Sequence, residues 1–371
     1  REKKVFRMSF KRDNLAYVVR EALDKYAELL HILKSVEGSA IIYTRSRRRS
    51  KVVSEWLEQQ GVSATFYHAG LEPAIKDERQ KLWQTDKKRV MAATNAFGMG
   101  IDKPNVRLVI HLDCPDSVEA YFQEAGRAGR DGKKAYAILL WNGHDHAVLA
   151  KRIKTTFPSK EIVRDVYDHL AYFFQVGLGS GNGHTFTFNI DQFCYIYHFY
   201  PLYVNSALHI LQSAGYIEYE TDPDARARLR FLLGRDELYK LYETTPNEEA
   251  VISALLRNYS GLFSDYRYVE EALISQVSGL SQNEVYLILK SLSHRRILHF
   301  IPQRKTPFIT YTQDRIDGCD VVIPASVYDQ RKEQFIKHVN AIEAYATNNH
   351  VCRSRQLLRY FDETKSEDCG I

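Results

Sequence analysis

The chain has 371 residues, of which 44% are hydrophobic and 26% charged, with a formal net charge of +5. This composition is typical of a folded globular protein, and the length allows two or three domains. No apolar run approaches the roughly 20 residues that cross a membrane, so we predict no spanning segment and no membrane partner. The small positive charge permits a polyanionic partner but does not require one.

The cysteines are scattered through a chain that is rich in core residues. There are five, at positions 114, 194, 319, 352 and 369. This pattern predicts reduced thiols in the cytoplasm and not a disulfide framework.

The first 145 residues alternate short apolar strands with helices. Apolar positions three and four apart predict a helix at residues 16–35. Further strands are predicted at 39–44, 64–69, 89–94, 106–113 and 134–141, and further helices at 50–60, 74–85 and 117–129. Apolar strands between helices favour a parallel α/β sheet that is covered on both faces. Ligands gather beyond the carboxyl ends of such strands, where we place residues 44–46, 67–70, 94–102 and 123–132.

The second half of the chain has a different pattern. Helices at 143–156 and 159–176 lead to the glycine-rich residues 177–183, near which we place a domain boundary. Two units of two helices and a hairpin follow, the pattern of a winged helix. The predicted hairpins pair 215–220 with 228–233 and 297–302 with 308–312. The predicted domains are 1–145, a connector at 146–187, winged helices at 188–243 and 244–325, and a mostly helical tail at 326–371.

A motif of arginine and glycine, Gly126-Arg127-Ala-Gly129-Arg130, ends the predicted helix at 117–129. If helical, Arg127 and Arg130 share a face and form a fork suited to phosphate oxygens. The alternative is an ordinary helix end, with glycine as the C-cap and arginine against the helix dipole.

Two strand ends carry further polar residues. Four arginines at 45 and 47–49 lie at the start of a helix, where the dipole disfavours cations, so a bound phosphate would remove a conflict. A solvated charged face is the alternative. The loop at 94–102 offers an acid and two glycines for a ribose or a phosphate, or is a plain glycine-rich turn. A single histidine after a strand, such as His68, is more often a packed or capping residue than a catalytic one.

Residues 41–47, 67–71, 93–104 and 123–132 resemble, in sequence and in order, motifs IV to VI of the RecQ helicases. These superfamily 2 enzymes unwind DNA from 3′ to 5′ with ATP. The resemblance covers about residues 1–145 and implies a RecA-like motor lobe. It implies that Arg127 and Arg130 are catalytic, with Arg130 as the finger on the γ-phosphate. It places Gly100, Asp102 and Gln123 on the nucleotide side.

The same resemblance implies contacts with single-stranded DNA. These would come from Thr44, Arg45, Ser46, Arg48, His68, Thr94 and Asn95. In the winged helices, the wing residues Arg228 and Lys305 touch duplex backbone or belong to plain solvated hairpins.

No Gly-x-x-x-x-Gly-Lys-Ser/Thr motif occurs in the chain. We therefore expect a first RecA-like lobe, outside this chain, to bind ATP and Mg²⁺. We expect this chain alone to be inactive, with Arg127 and Arg130 exposed. The resemblance implies DNA partners, both single strands and duplex junctions, and a role in repair and recombination at the bacterial nucleoid.

Cys352 and Cys369 resemble the start of the RecQ zinc site. Two thiolates cannot close a tetrahedral Zn²⁺ site, so we expect no proper zinc occupancy here, and two free cysteines are the alternative. The family's zinc module directly follows its motor, whereas about 200 residues intervene in this chain. Two other functions stay open, a non-enzymatic winged-helix regulator and a superfamily 2 RNA helicase.

Overall fold

A computed structural model describes residues 9–98, 101–221, 227–238, 244–302, 307–364 and 366–370. The chain forms two compact units. One joins Arg1–Lys154 to Asp329–Ile371, and the other is Thr155–Tyr328. Gly100 and Lys305, both predicted to bind ligands, lie outside the described residues.

The first unit contains a six-stranded, fully parallel sheet in the order β1-β6-β5-β2-β4-β3. Its strands are β1 (Leu15–Glu21), β2 (Ser39–Tyr43), β3 (Ala64–Tyr67), β4 (Val90–Ala93), β5 (Val106–His111) and β6 (Ala135–Trp141). Alternate residues fill two cores, with Ile41 and Val109 in one and Ile42 and Ile110 in the other. The predicted parallel sheet with two covered faces is confirmed.

Four helices connect these strands, and a fifth follows β6. They are α1 (Lys25–Ser35), α2 (Arg47–Gln59), α3 (Pro73–Gln84), α4 (Val118–Ala125) and α5 (Gly143–Thr156). Among the described residues, no helix of the chain is both long and apolar enough to cross a membrane.

The helix predicted at 16–35 is wrong in its first half. Residues Leu15–Glu21 form β1, which pairs in parallel with β6 along its whole length. The helix begins only after Asp24, whose carboxylate accepts hydrogen bonds from the amides of Tyr26 and Ala27. The β-branched pair Val18-Val19 favours a strand, and the spacing of apolar residues across the cap imitates a single helix.

The second unit contains two small sheets and two separate cores. Its elements are α6 (Lys160–Phe174), β7 (Thr185–Thr187), α7 (Ile190–Tyr197), α8 (Pro201–Ser213), β8 (Ile217–Glu220), β9 (Arg228–Phe231), α9 (Arg235–Leu238), α10 (Pro246–Asn258), β10 (Arg267–Tyr268), α11 (Glu271–Ser278), α12 (Gln282–His294), β11 (Leu298–Ile301), β12 (Phe308–Tyr311) and a 3₁₀ turn at Gly318–Asp320.

One winged helix is inserted into the other. Strand β8 pairs with β12, and both lie in the sheet β7-β12-β8. Strand β9 pairs with β11 and β10, in a sheet that lies wholly between β8 and β12 in sequence. The inserted winged helix therefore replaces the tip of the outer wing.

This pairing overturns both predicted hairpins. Each strand of a predicted hairpin pairs instead with a strand of the other predicted hairpin. The predicted domain boundary at 243/244 would cut through both sheets, since β8 and β9 precede it and their partner strands β12 and β11 follow it.

The glycine-rich stretch at 177–183 is also not a boundary. The amide of Gly179 donates to Arg315 O at 2.8 Å, and that of Gly183 to Tyr311 O at 2.8 Å. Helix α6, predicted to be part of a connector, contributes Val166 and Leu170 to the outer winged-helix core. The stretch is thus fixed within the second unit.

The tail completes the first unit with two helices, α13 (Asp329–Thr347) and α14 (Arg353–Tyr360). Ile342 and Leu357 join the core on the side of the sheet where Tyr121 of α4 lies. The predicted helical tail is confirmed.

Candidate functional site

The arginine–glycine motif lies beyond a helix and not on it. Helix α4 ends at Ala125 and Gly126 is its C-cap, so Arg127 and Arg130 occupy a turn. The amide of Gly129 donates to the carbonyl of Val106, the first residue of β5, at 2.9 Å. The turn therefore lies at the amino ends of the strands, and its predicted place at the carboxyl ends is wrong. The chain reaches this edge because α4 runs back along the sheet.

Arg127 is buried, with 9% of its surface exposed. Its guanidinium donates a hydrogen bond to the carbonyl of Gly98. A Cβ atom on Gly98 would collide with the same guanidinium, so a larger residue there would displace Arg127 from this position. The Nε atom of Arg127 is buried without a hydrogen-bond partner among the described residues. We expected both arginines to be exposed, and for Arg127 this is wrong because it anchors the loop that follows β4.

Arg130 has a different environment, since its side chain is 40% exposed. One nitrogen donates to Ile101 O at 3.1 Å. The guanidinium also lies 3.7 Å from the carboxylate of Asp102, which is itself 89% exposed. Gln123 is exposed on α4. Arg130 is thus oriented by Ile101 and Asp102, while part of its side chain faces solvent.

Three residues that the sequence did not single out hold this turn and loop. Tyr43 donates from its hydroxyl to Phe97 O at 2.9 Å, and burial raises the pKa of Tyr43 well above its usual range. Arg12 and Asn14 donate to Gly129 O at 2.8 and 2.6 Å. Gly129 has φ +62°, a left-handed conformation that suits glycine. All three contacts join segments that are distant in sequence, so no local pattern announces them.

A second group of candidate residues lies at the carboxyl ends of three adjacent strands. The amide of Thr44, after β2, donates to Ala93 O at 2.8 Å, and that of Thr94, after β4, to Tyr67 O at 3.2 Å. Both threonines are buried, and the Thr44 hydroxyl has no hydrogen-bond partner among the described residues. Asn95 is exposed beside them.

His68 follows β3 at the same edge of the sheet. Burial lowers the pKa of its imidazole, and the cations Arg47, Arg79 and Lys76 lower it further. The ring is therefore neutral at neutral pH. Its Nδ1 is buried without a hydrogen-bond partner among the described residues.

The basic run beside this edge is largely compensated by acids. Ser46 caps α2 by accepting from the amide of Arg49 at 3.0 Å. Arg49 pairs with Asp113 at 2.6 Å, and Arg45 pairs with Asp116 at 2.6 Å. These carboxylates relieve the conflict with the helix dipole that a phosphate was expected to relieve. Arg48 is exposed.

Arg228, predicted to contact duplex DNA, pairs with Glu220 at 3.3 Å. It thereby links the inserted winged helix to the outer one at the point of insertion.

Cys352 and Cys369 lie together, with their sulfur atoms 3.3 Å apart. Cys352 precedes the first turn of α14. Burial raises the pKa of its thiol, but hydrogen bonds from the amides of Cys369, Arg355 and Ser354 outweigh this and lower the pKa overall. Two such thiols fit two of the four positions of a structural zinc site. No group of three or more potential metal ligands occurs among the described residues.

Three family profiles match successive parts of the chain. Residues 23–132 match the helicase conserved C-terminal domain. Residues 229–302 match the RecQ helicase winged-helix domain of Bacteroidota, and residues 311–371 match the RecQ zinc-binding domain. The chain belongs to the RecQ family of superfamily 2 helicases. The inserted winged helix therefore has a RecQ profile of its own.

Individual RecQ proteins are similar over the first unit. The ATP-dependent DNA helicase RecQ of Haemophilus influenzae is 43% identical over 157 residues, which cover 42% of this chain and 25% of that protein. The RecQ-like DNA helicase BLM of Xenopus laevis is 45% identical over 150 residues, covering 38% of this chain and 11% of that protein. The chain thus matches about a quarter or less of the length of these relatives. A DEAD box protein of Methanococcus jannaschii matches 37% of this chain and 39% of its own, at 27% identity and a TM-score of 0.33.

Proposed function

We propose that this RecQ chain forms the second motor lobe and C-terminal region of an ATP-dependent helicase that unwinds DNA from 3′ to 5′. The observation that carries the proposal is the contrast between Arg127 and Arg130. A buried arginine donates to the carbonyl of Gly98, and a second one, three residues later, is held by Ile101 and Asp102 and is partly exposed. Such an arrangement suits a guanidinium that serves a ligand held by another lobe.

In this proposal Arg130 acts directly, and Arg127 is a positioning residue. ATP with Mg²⁺, when bound, supplies the phosphoryl group whose transfer drives the motor. The site fits an anionic ligand, since the side chain of Arg130 is partly exposed and, among the described residues, the buried Nε of Arg127 has no hydrogen-bond partner. A fixed guanidinium stabilises charge that develops on the phosphoryl oxygens without having to reorient. Asp102 orients Arg130, and Gln123, exposed on α4, faces the nucleotide side.

DNA contact is proposed for the edge formed by Thr44, Ser46, His68, Thr94 and Asn95, with Arg48 as an exposed cation beside it. Neutral His68 and the hydroxyl and amide groups donate to phosphate oxygens without adding charge. Arg45 and Arg228 are committed to carboxylates, so we assign them to positioning. Cys352 and Cys369 would supply two thiolates to a structural Zn²⁺, which would tie the start of α14 to the end of the tail.

Arg130→Ala in the complete gene product tests the proposal. DNA-dependent ATP hydrolysis should fall at least about 10³-fold, the usual effect of losing an arginine finger. Single-stranded DNA binding should change less than twofold. Lys133→Ala, which removes a neighbouring exposed cation, is the control and should retain both activities. Equal loss of hydrolysis and binding in Arg130→Ala would make Arg130 a structural residue and overturn the assignment.

Residues 1–371 alone should not hydrolyse ATP, because the sequence has no Gly-x-x-x-x-Gly-Lys-Ser/Thr loop to hold the triphosphate. The purified chain and its Arg130→Ala variant are compared for release of radiolabelled phosphate from ATP. A higher rate of release by the unmodified chain would contradict the need for a second lobe.

A further inference from the structure

The outer winged helix exposes an aromatic and aliphatic surface at the turn between α7 and α8. We define this α7–α8 surface by its four exposed residues, Tyr195, Ile196, Tyr200 and Leu202. Tyr195 is 82% exposed and Leu202 52%. Four large apolar side chains within eight residues are more than the scattered exposure that is normal for a protein surface.

The charge around this surface is unusual for a protein that acts on nucleic acid. No lysine or arginine occurs between Arg164 and Arg226, a stretch that includes α7 and α8. Because lysine and arginine supply most of the affinity for phosphate backbones, this turn lacks what nucleic acid requires. The second unit as a whole has 15 lysines and arginines against 20 aspartates and glutamates.

Acidic groups lie next to the exposed rings. Asp191 precedes Tyr195 by four residues on α7, so the two side chains share a face of the helix, and both are exposed. Asp165 lies four residues before His169 on α6 and is also exposed. The ring of His169 packs 4.7 Å from that of Tyr197 and 5.2 Å from that of Phe199. Exposed carboxylates thus lie on both helices that carry or support this turn, α7 and α6.

The protein already uses one tyrosine of this region to hold a cation. The guanidinium of Arg315 lies 5.1 Å from the centre of the Tyr172 ring, and the Tyr172 ring lies 5.9 Å from His169. A cation over an aromatic face is favourable, and more so where carboxylates are near. Tyr195 offers a second such face to solvent.

We propose that the α7–α8 surface binds a protein segment that carries lysine or arginine next to apolar side chains. Tyrosine is enriched where proteins meet, and exposed carboxylates favour a cationic partner and disfavour DNA. The site lies apart from the arginine turn in sequence and in chemistry, so it does not depend on the proposed ATP hydrolysis.

Selection from a phage-displayed library of random twelve-residue peptides tests this inference. The full chain is the target, and Tyr195→Ser/Leu202→Ser serves for counter-selection, since both side chains are exposed and their loss should leave the fold intact by circular dichroism. Peptides that prefer the wild type should have net positive charge and at least two aliphatic or aromatic residues. A synthetic peptide of the consensus should bind the double variant at least tenfold more weakly.

Asp191→Asn removes a charge but no apolar side chain, so it measures the contribution of charge to peptide binding. It also provides a second test that does not depend on correct folding of the double variant. It should weaken the same peptide about threefold or more, and its effect should shrink as salt is raised. Enrichment of acidic peptides, or no enrichment that depends on the wild-type surface, would overturn the proposal. Loss of dT₂₀ binding in the double variant would indicate a nucleic-acid site and would also overturn the proposal. A wild-type dimer in analytical ultracentrifugation that the double variant abolishes would indicate a second copy of the chain as the partner and would overturn it as well.

Discussion

At the scale of single residues, Arg127 and Arg130 show how three positions in a turn separate two roles. On the assumption of a helix, the spacing of the two arginines predicted that both guanidiniums lie on one face and bind phosphate together. The glycines change this, because Gly126 ends α4 and Gly129 adopts φ +62°. The sequence thus indicated which residues matter, but not that one of them is buried against Gly98.

Arg127→Ala should destabilise the chain because it leaves the carbonyl of Gly98 without its buried donor. We expect a loss of about 1–3 kcal/mol in the free energy of unfolding, measured by urea denaturation. Arg130→Ala is the matched control, and with its partly exposed side chain it should cost no more than about 0.5 kcal/mol. Equal destabilisation by the two substitutions would contradict the division into a positioning and an acting arginine.

Cys319 is an exposed cysteine, but its surroundings make the thiol less reactive than its exposure indicates. The carboxylate of Asp317 accepts from the amide of Cys319 at 3.0 Å, and its hydrogen bond and charge raise the pKa of the thiol to about 11. A carboxylate favours the neutral thiol, so little thiolate exists near neutral pH. Asp317→Asn should lower the pKa towards the usual value of about 8.5 for a free cysteine.

Iodoacetamide alkylation at pH 8, followed by mass spectrometry, measures this effect. The thiolate fraction should rise about 100-fold in Asp317→Asn, and the lower nucleophilicity of a less basic thiolate should reduce the gain in rate to about tenfold. Buried Cys114, whose pKa burial raises to about 12, is an internal control that should stay unmodified in both proteins. An unchanged Cys319 rate would mean that Asp317 does not control the thiol.

At the scale of elements, the sheet of the first unit followed from local patterns, whereas the nesting of the winged helices did not. Continuous apolar strands such as β2 and β5 predicted a parallel sheet because both of their faces are buried. Strands β8 and β9 read as a hairpin because a polar turn separates them. Their true partners, β12 and β11, lie far along the chain, and a local pattern contains no information on such pairing.

Nesting predicts that the inserted winged helix can be removed. Replacing residues 222–306 by an Asn-Gly turn joins β8 directly to β12, which are already antiparallel partners. The outer core, which includes Val204, Ile217 and Ile309, is separate from the inserted core, so the shortened chain should fold with one cooperative transition for its second unit. Circular dichroism and thermal melting measure this.

The control for this deletion follows the overturned domain boundary. A polypeptide of residues 188–243 lacks β12 and α6, and it should be unfolded because β8 then has no partner strand. A folded 188–243 polypeptide, or an unfolded deletion variant, would contradict the observed strand pairing.

At the scale of the whole molecule, charge is divided between the two units. Residues 1–154 contain 29 lysines and arginines against 19 aspartates and glutamates, and residues 329–371 contain seven of each. The second unit has an excess of acids. The overall charge of +5 therefore conceals a basic motor unit and an acidic winged-helix unit.

This division predicts where the salt dependence of DNA binding originates. The logarithm of the affinity for single-stranded DNA falls with the logarithm of salt by about 0.7 for each phosphate contact. Arg48→Ala should therefore reduce the slope for dT₂₀ by about 0.7, because Arg48 is an exposed cation beside the proposed DNA edge. Arg257→Ala, at an exposed position of α10 in the acidic unit, should leave the slope unchanged.

Fluorescence anisotropy between 50 and 300 mM salt measures both slopes. Equal reductions by the two substitutions would show that the winged helices share in phosphate binding, and would count against a division of DNA and protein partners between the two units.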